Sequence, residues 1–315
     1  RFDHPAKKLV MIGVTGTKGK TTTTHMIRAI LLAAGKKVGM IGTTGTVIGY
    51  VVTPTLNTTP ESYELHQAFA QMVEAGCEYA VMEVSSQGIK MHRTDGLYFN
   101  YAIFTNISPD HIGPGEHADF EEYLYYKTRL LNMCGIGLVN KDDEHAPQII
   151  KAANCELYTY SEESKEADFV ASDIRYVSQP DFVGTEFHIS GKYDMEVRLG
   201  IPGLFNVVNA LAAVSVCSFL GLDQARISHA LENIRVNGRM EIVYTSERCT
   251  VLVDYAHNAV SMESLLSTLR DYKPKRLVCV FGCGGNRSKD RRYSMGEIGG
   301  KMADLSIITA DNSRY

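Results

Sequence analysis

The chain has 315 residues, 44% of them hydrophobic and 22% charged, with a formal net charge of −4. This is ordinary globular composition with room for about two domains, each with its own core. No basic block or tail is present, which excludes a nucleic-acid binder that works by charge.

The cysteines, Cys77, Cys134, Cys155, Cys217, Cys249, Cys279 and Cys283, form no C-x-x-C pair. That spacing argues against a zinc ribbon or a disulfide framework and for free thiols in a reducing compartment. The start, RFDHPAKKLV, has no signal-peptide core. The longest apolar stretch, 204–222, is broken by Asn206, Asn209 and serines, so it reads as a buried helix rather than a membrane span. The expectation is a soluble, cytoplasmic monomer with neither nucleic acid nor membrane as a partner.

An apolar run over 9–14 reads as a strand. It ends in Thr15-Gly16-Thr17-Lys18-Gly19-Lys20-Thr21-Thr22, and a helical pattern follows over 25–34. Strand, glycine loop and helix together turn backbone N–H groups and a helix N-terminus toward a phosphate chain. In such a loop Lys20 reaches the outer phosphates and the Thr21 hydroxyl sits on Mg²⁺. The spacing departs from G-x-x-x-x-G-K-[ST], because Val14 stands five residues before Gly19. A plain Gly/Thr-rich turn is the competing reading.

A second strand is expected over 37–42, and a Gly/Thr segment then leads to Asn57-Thr58-Thr59-Pro60. Pro60 suits a helix start, and 61–75 carries apolar residues at helical spacing. Strands are expected at 79–84, ending in Glu83-Val84-Ser85-Ser86, and at 101–104, ending in Thr105-Asn106. A helix over 120–133 and a strand over 136–139 follow. Such alternation predicts an α/β domain with a mostly parallel sheet covered on both faces.

The pattern changes at Asp168. Short alternating runs at 174–177, 182–189 and 193–199 are expected to make a small antiparallel sheet at one edge, followed by helices over 204–220 and 223–233. Near Asn237-Gly238 the α/β alternation restarts, with strands at 240–244, 250–254, 277–281 and 305–309 and helices from Ser261 and over 292–302. The expected organisation is therefore a central P-loop ATPase domain over 1–235 and a truncated Rossmann-like α/β domain over 236–315.

In an open parallel sheet, ligands collect beyond the C-terminal strand ends. Thr21, Glu83, Ser85, Asn106, Asp110 and His111 all fall there. Glu83 and His111 are expected to converge with Thr21 around a phosphate-bound metal, although Mg²⁺ prefers oxygen ligands. Taken singly, Glu83 also reads as a solvated carboxylate and His111 as a hydrogen-bonded loop histidine.

Eight motifs occur in the order seen in the Mur ligases: TGTKGKTTT, MEVSSQG, TNISPDHIG, the lysine of YLYYKTRLL, GLFNVVNALAA, NGRMEIV, VDYAHNA and FGCGGNRSKDRR. The chain resembles that family, and within it the MurE type, the UDP-N-acetylmuramoyl-tripeptide synthetases. The resemblance implies an ATP-dependent amide ligase of peptidoglycan synthesis. In this reaction a substrate carboxylate takes the γ-phosphoryl group, and an amine attacks the acyl phosphate. Carried over residue by residue, Gly16, Thr17, Lys18, Gly19, Lys20, Thr21 and Thr22 hold ATP. Thr21, Glu83, His111 and Lys127, the last N6-carbamylated, hold Mg²⁺; Lys20, Lys127 and His111 are the catalytic set. Asn209 lies near adenine, Arg239 reaches the phosphates and Asp254 the ribose.

Asn57, Thr58, Thr59, Ser85 and Arg93 match residues that bind the UDP-muramoyl-dipeptide. Arg287 with Asp311, Asn312 and Arg314 matches the site of the incoming amino acid. Arg287 and Arg314 offer two guanidinium groups, which suit a second carboxylate and favour meso-diaminopimelate over lysine. The chain departs from the family pattern at Lys18 (usually Asn), Gln87 (often His), Met91 (usually Gln) and Ser313 (Pro in D-N-P-R). The family's first, uridine-binding domain has no counterpart here. Folylpolyglutamate and cyanophycin synthetases, of the same superfamily, and a non-catalytic nucleotide-binding module are the alternatives.

Overall fold

The computed structural model describes residues 2–285 and 289–311. The chain divides into two compact units. The first takes in the chain up to Ile174 together with Phe187–Leu199 and Phe205–Ile234. The second takes Arg175–Glu186, Gly200–Leu204 and the chain from Arg235 onward.

Strand β1 (Val10–Thr15) is buried along almost its whole length, as its unbroken apolar run dictates. The glycine loop leads into helix α1 (Lys20–Ala33). Strands β2 (Val38–Gly42), β3 (Gly45–Ile48) and β4 (Val51–Thr53) follow, then helix α2 (Ser62–Glu74). Next come β5 (Tyr79–Glu83), the short α3 (Ser86–Lys90), β6 (Phe99–Phe104) and α4 (Phe120–Thr128), which tightens into a 3-10 turn at Arg129–Asn132. After these come β7 (Cys134–Asn140), α5 (Ala146–Ala152), β8 (Glu156–Ser161), β9 (Phe169–Gln179), β10 (Phe182–Gly191) and β11 (Met195–Leu199). Two helices, α6 (Leu204–Phe219) and α7 (Gln224–Glu232), follow.

These eleven strands form one sheet in the order β11-β10-β9-β8-β7-β6-β1-β5-β2-β3-β4. From β2 through β9 every pairing is parallel. The chain passes from β5 on one side of β1 to β6 on the other, which places the crevice of the sheet at the C-terminal ends of β1, β5 and β6. A core that includes Phe69, Phe99, Phe104 and Tyr123 packs beside these strands.

Three sequence expectations shift. Helix α1 begins at Lys20 rather than His25, although Thr21–Thr24 are poor helix formers. All four are buried, so tertiary contacts override propensity. Antiparallel strands also extend the parallel core beyond β2, because β3 and β4 fold the Gly/Thr segment back against it. Helix α2 starts at Ser62, with Pro60 before the cap rather than inside the helix; Glu61 N donates to Glu64 Oε2 (3.2 Å) in a capping box.

The second unit contains β12 (Glu241–Thr245), β13 (Thr250–Val253), α8 (Ala259–Asp271), β14 (Val278–Phe281), α9 (Lys289–Met302) and β15 (Leu305–Ile308). Strands β14 and β15 pair in parallel beside a small core of Met262, Leu266, Leu277 and Met295. Strands β12 and β13, joined by a tight connection at 246–249, pair antiparallel as a separate ribbon. The described part of this unit forms these two small sheets, with the strand–helix alternation expected of an α/β domain. Among the described residues no helix is long and apolar enough to cross a membrane.

Helix α4 carries Lys127, and its first turn is capped by Asp119, whose Oδ1 accepts from Glu122 N at 2.8 Å. Asp119→Ala is expected to cost about 1 kcal/mol of stability, read as a lower denaturation midpoint with unchanged slope. An unaltered midpoint would show that the cap contributes nothing here.

Candidate active site

The glycine loop after β1 is shaped by two backbone positions. Gly16 has φ 143°, and a Cβ there would stand 1.9 Å from Thr105 Oγ1; Gly19 has φ 85°, and a Cβ there would meet Asn209 Oδ1 at 2.3 Å. Neither place admits a side chain. Gly19 is also the cap residue of α1, so the loop delivers the chain into a helix N-terminus, whose first-turn amides lack intrahelical partners.

Two of the loop's own amides are already engaged. Thr17 N donates to Asn106 O (2.8 Å) and Lys18 N to Asn106 Oδ1 (2.9 Å), while Asn106 Nδ2 and Thr105 Oγ1 both donate to Lys18 O (3.1 and 2.7 Å). The end of β6 thereby clamps the loop. The Lys18 side chain is exposed.

Lys20 folds back over the loop, with Nζ donating to Gly16 O (2.7 Å) and Thr17 O (3.1 Å). Lys127, from α4, reaches the same Gly16 carbonyl at 2.7 Å from the other side. Lys127 is almost fully buried, with its Nζ 4.6 Å from the centroid of the Tyr123 ring. Burial, and then the nearby Lys20 charge, hold its pKa well below the ordinary lysine value. The sequence alone reads Lys127 as a helix-surface residue, and only the resemblance marks it out.

Glu83, at the end of β5, is 1% exposed. Its carboxylate accepts from Thr21 Oγ1 (3.0 Å to each oxygen), Thr43 N (2.9 Å) and Thr43 Oγ1 (3.3 Å). The Thr43 hydroxyl pairs with Thr58 Oγ1 at 3.0 Å, which links Glu83 to the 57–59 segment. Thr59 Oγ1 donates to Glu83 O (3.0 Å) and accepts from Ser85 N (2.9 Å), and Ser85 caps α3 through Gly88 N (3.0 Å). Arg93 Nη1 donates to Thr59 O (3.1 Å), and its Nε lies 2.8 Å from Glu61 Oε1. Asn57 is partly exposed beside this chain of contacts. Thr21, Glu83, Thr58, Thr59, Ser85 and Arg93 are thus brought into one connected region. Thr22 is buried in the first turn of α1, and Asn209 on α6 lies against Gly19, with Thr23 Oγ1 3.4 Å from its Oδ1.

His111 sits on the loop after β6 with φ 53° and a half-exposed side chain. Its Nδ1 is 3.0 Å from Glu116 Oε1, and its ring lies 6.2 Å from that of Tyr123. Tyr123 OH in turn bonds Thr17 Oγ1 at 3.0 Å. Among the described residues no three His, Cys, Asp or Glu side chains gather as a metal cluster. The donors beside the loop are the Thr21 hydroxyl and the Glu83 carboxylate, whose side-chain hydrogen bonds come from neutral groups. A buried carboxylate of that kind fits a hard cation such as Mg²⁺, which is commonly held by one or two carboxylates plus phosphate oxygens rather than by a full protein cage.

Within the second unit, Arg239 stacks on the Tyr255 ring (4.7 Å), and the Asp254 carboxylate accepts from Met240 N (2.9 Å) and Ala256 N (2.8 Å). Asp311 lies against Gly282, where an added Cβ would stand 2.8 Å from Asp311 Cβ. Arg287, Asn312 and Arg314 lie outside the described residues. Sequence reasoning missed Thr43, Tyr123 and His117. Tyr123 lies inside the YLYYK motif, but the roles of Thr43 and His117 depend on contacts with residues 15 to 40 positions away.

A mostly parallel sheet with a glycine loop clamped beside a buried lysine and a strand-end carboxylate is the arrangement of a P-loop domain. A model of the Mur ligase middle domain matches residues 14–217, and a model of the Mur ligase glutamate ligase domain matches residues 238–315. The chain belongs to the Mur ligase family. It is 39% identical over 319 residues to the UDP-N-acetylmuramoyl-L-alanyl-D-glutamate--2,6-diaminopimelate ligase of Caldanaerobacter subterraneus subsp. tengcongensis, covering 99% of this chain and 64% of that protein. A ligase of the same name from Clostridioides difficile is 39% identical over 323 residues, again covering 99% of this chain and 64% of the relative. A solved structure of an enzyme of that name superposes with a TM-score of 0.79 at 31% identity, covering 97% of this chain and 63% of that one. The Mycobacterium tuberculosis folylpolyglutamate synthase complexed with ADP and AMPPCP shares the fold at a TM-score of 0.75 and 18% identity, covering 99% of this chain and 77% of that one. The chain therefore spans a little under two thirds of the length of the curated relatives it matches.

Proposed function

We propose that the chain is the nucleotide-binding and amide-forming part of a ligase that adds meso-diaminopimelate to UDP-N-acetylmuramoyl-L-alanyl-D-glutamate, with ATP as co-substrate, in the cytoplasm. The observation that carries this reading is the meeting of Lys20 and Lys127 on the Gly16 carbonyl, beside the Thr21–Glu83 contact. The names of relatives 39% identical to it supply the substrate. Residues 1–235 would serve as the ATP-binding domain and 236–315 as the start of the ligase domain, a division that the spans of the two family models support.

The reaction balances in two steps. A carboxylate oxygen attacks the γ-phosphorus and ADP leaves; the amine nitrogen then attacks the acyl carbon, loses a proton and expels phosphate. The first turn of α1 holds the phosphates, and Lys20 exchanges its loop carbonyls for phosphate oxygens, where its charge opposes the negative charge that builds during transfer. Thr21, Glu83 and His111 hold Mg²⁺, which when bound neutralises part of the phosphate charge. Asn209 and, in the second unit, Arg239 and Asp254 are assigned to the nucleotide. Asn57, Thr58, Thr59, Ser85 and Arg93 receive the muramoyl-dipeptide, with Arg93 offering a planar partner for a carboxylate. Arg287, Asp311, Asn312 and Arg314 are assigned to the amino acid.

Lys127 is read as the residue that becomes carbamylated. Burial favours its neutral amine, which is the form that adds to CO₂ with loss of one proton. The product is an anionic oxygen ligand, which suits a place beside a divalent cation where an ammonium would be repelled. Lys127→Ala is expected to lose ligase activity and to regain part of it with added short carboxylic acids. Activity that no acid restores, in a variant that still binds nucleotide, would show that the side chain does not act as an anion.

Substrate choice is tested by assaying the full-length protein with meso-diaminopimelate and lysine side by side. The expected result is a clear preference for diaminopimelate that Arg314→Ala weakens. A preference for lysine that Arg314→Ala leaves unchanged contradicts the proposal.

A further inference from the structure

His117 is a buried polar side chain that the mechanism above does not use. It closes the loop that carries His111. Its N donates to His111 O (3.0 Å), and its O accepts from Gly113 N (3.0 Å). The intervening turn places His111 at φ 53°, Gly113 at φ 156° and Gly115 at φ 84°. These hydrogen bonds close the turn on itself, and contacts outside it set where it lies against the neighbouring helices.

The His117 side chain supplies one of these contacts. It is 0% exposed, and its Nε2 lies 2.9 Å from Ser86 Oγ, on the first residue of α3. Its Nδ1 faces Glu122 Oε2 at 3.6 Å, and its ring packs against Tyr123 (5.3 Å) and Tyr126 (5.7 Å) of α4. Burial, and then the Lys90 charge, lower its pKa. A second tie runs alongside it, because Lys90 at the end of α3 donates to Glu116 O (2.9 Å) and to Glu122 Oε2 (2.9 Å). The loop is therefore held between α3 and α4. Helix α3 itself follows directly from Glu83 and is capped by Ser85, while α4 carries Tyr123 and Lys127.

We propose that His117 is a positioning residue, which through Ser86 and the α4 tyrosines sets the His111 loop against the Glu83 strand end and so fixes His111 as a ligand of the divalent cation. This rests on the assignment of His111 to Mg²⁺ given above. His117 touches neither nucleotide nor metal; it acts through the backbone of the loop. Ser86 plays the complementary part, because its hydroxyl is the polar group to which the imidazole is bonded. The arrangement gives the metal-binding loop and the substrate-binding segment at Ser85 and Arg93 a common support.

The test is Mn²⁺ binding to the full-length protein in the presence of ADP, followed by the electron paramagnetic resonance signal of free Mn²⁺. His117→Ala is expected to weaken Mn²⁺ binding by on the order of tenfold, the effect typical of residues that orient a metal's ligands. ADP binding without metal should be unchanged. His117→Gln, whose amide can still bond Ser86, is expected to recover most of the loss, and Ser86→Ala to reproduce part of it. Unchanged Mn²⁺ affinity in His117→Ala and Ser86→Ala overturns the proposal. So does a loss in His117→Ala that His117→Gln fails to recover and Ser86→Ala does not share, since packing alone would account for it. His111→Ala separates this proposal from the functional reading. If it loses Mn²⁺ affinity while the His117 and Ser86 variants keep it, only the positioning role falls. If it binds Mn²⁺ like the unaltered protein, the metal assignment falls and the positioning role with it.

Discussion

The buried Glu83 carboxylate is the constraint around which the first unit is arranged. Removing a carboxylate from water costs several kcal/mol unless hydrogen bonds replace the lost solvation. Here the replacement comes from Thr21 on α1 and Thr43 after β2. Those donors can reach Glu83 only because β2 and β5 are adjacent parallel strands and α1 begins as early as Lys20. Gly42 follows from the same requirement, since a Cβ there would stand 2.3 Å from Glu83 Oε1. Four successive buried threonines at the start of a helix are a poor choice for helix propensity. They are a sensible one where hydroxyls and small volume are needed against Glu83 and Asn209.

The loop after β1 answers to a different constraint, close approach. Gly16 and Gly19 leave space that Thr105 and Asn209 fill, and Asn106 takes the Thr17 and Lys18 amides. The loop is in this way held from the end of β6 before any ligand arrives. Preorganisation of this kind reduces the ordering cost paid on binding. The two lysines on Gly16 O show where charge is concentrated, and the tyrosine and histidine rings behind them form its wall.

Much of this was legible in the sequence. Strand β1, the glycine loop and the strand ends carrying Glu83, Ser85 and Asn106 could be read because apolar runs and local turn chemistry mark them. Lys127 could not be read that way, since nothing local distinguishes a buried lysine on α4 from a solvated one. The β3–β4 extension was hidden by its glycines and threonines. The early start of α1 was hidden by threonine propensity. Asn106 was visible at a strand end, but its grip on Lys18 spans 88 residues, and no periodicity reports a contact of that range. In the second unit the alternation of strands and helices was correctly expected, whereas the antiparallel pairing of β12 with β13 depends on a short connection that the pattern does not encode.

In the proposed reaction the carboxylate substrate is activated by taking the γ-phosphoryl group before the amine attacks. Isotope transfer tests this most directly. UDP-N-acetylmuramoyl-L-alanyl-D-glutamate labelled with ¹⁸O at both oxygens of its reacting carboxylate would be turned over with ATP and diaminopimelate, and the released phosphate examined by mass spectrometry. The account predicts that each phosphate carries one ¹⁸O atom derived from the carboxylate. Product formed with phosphate that carries no label would contradict it.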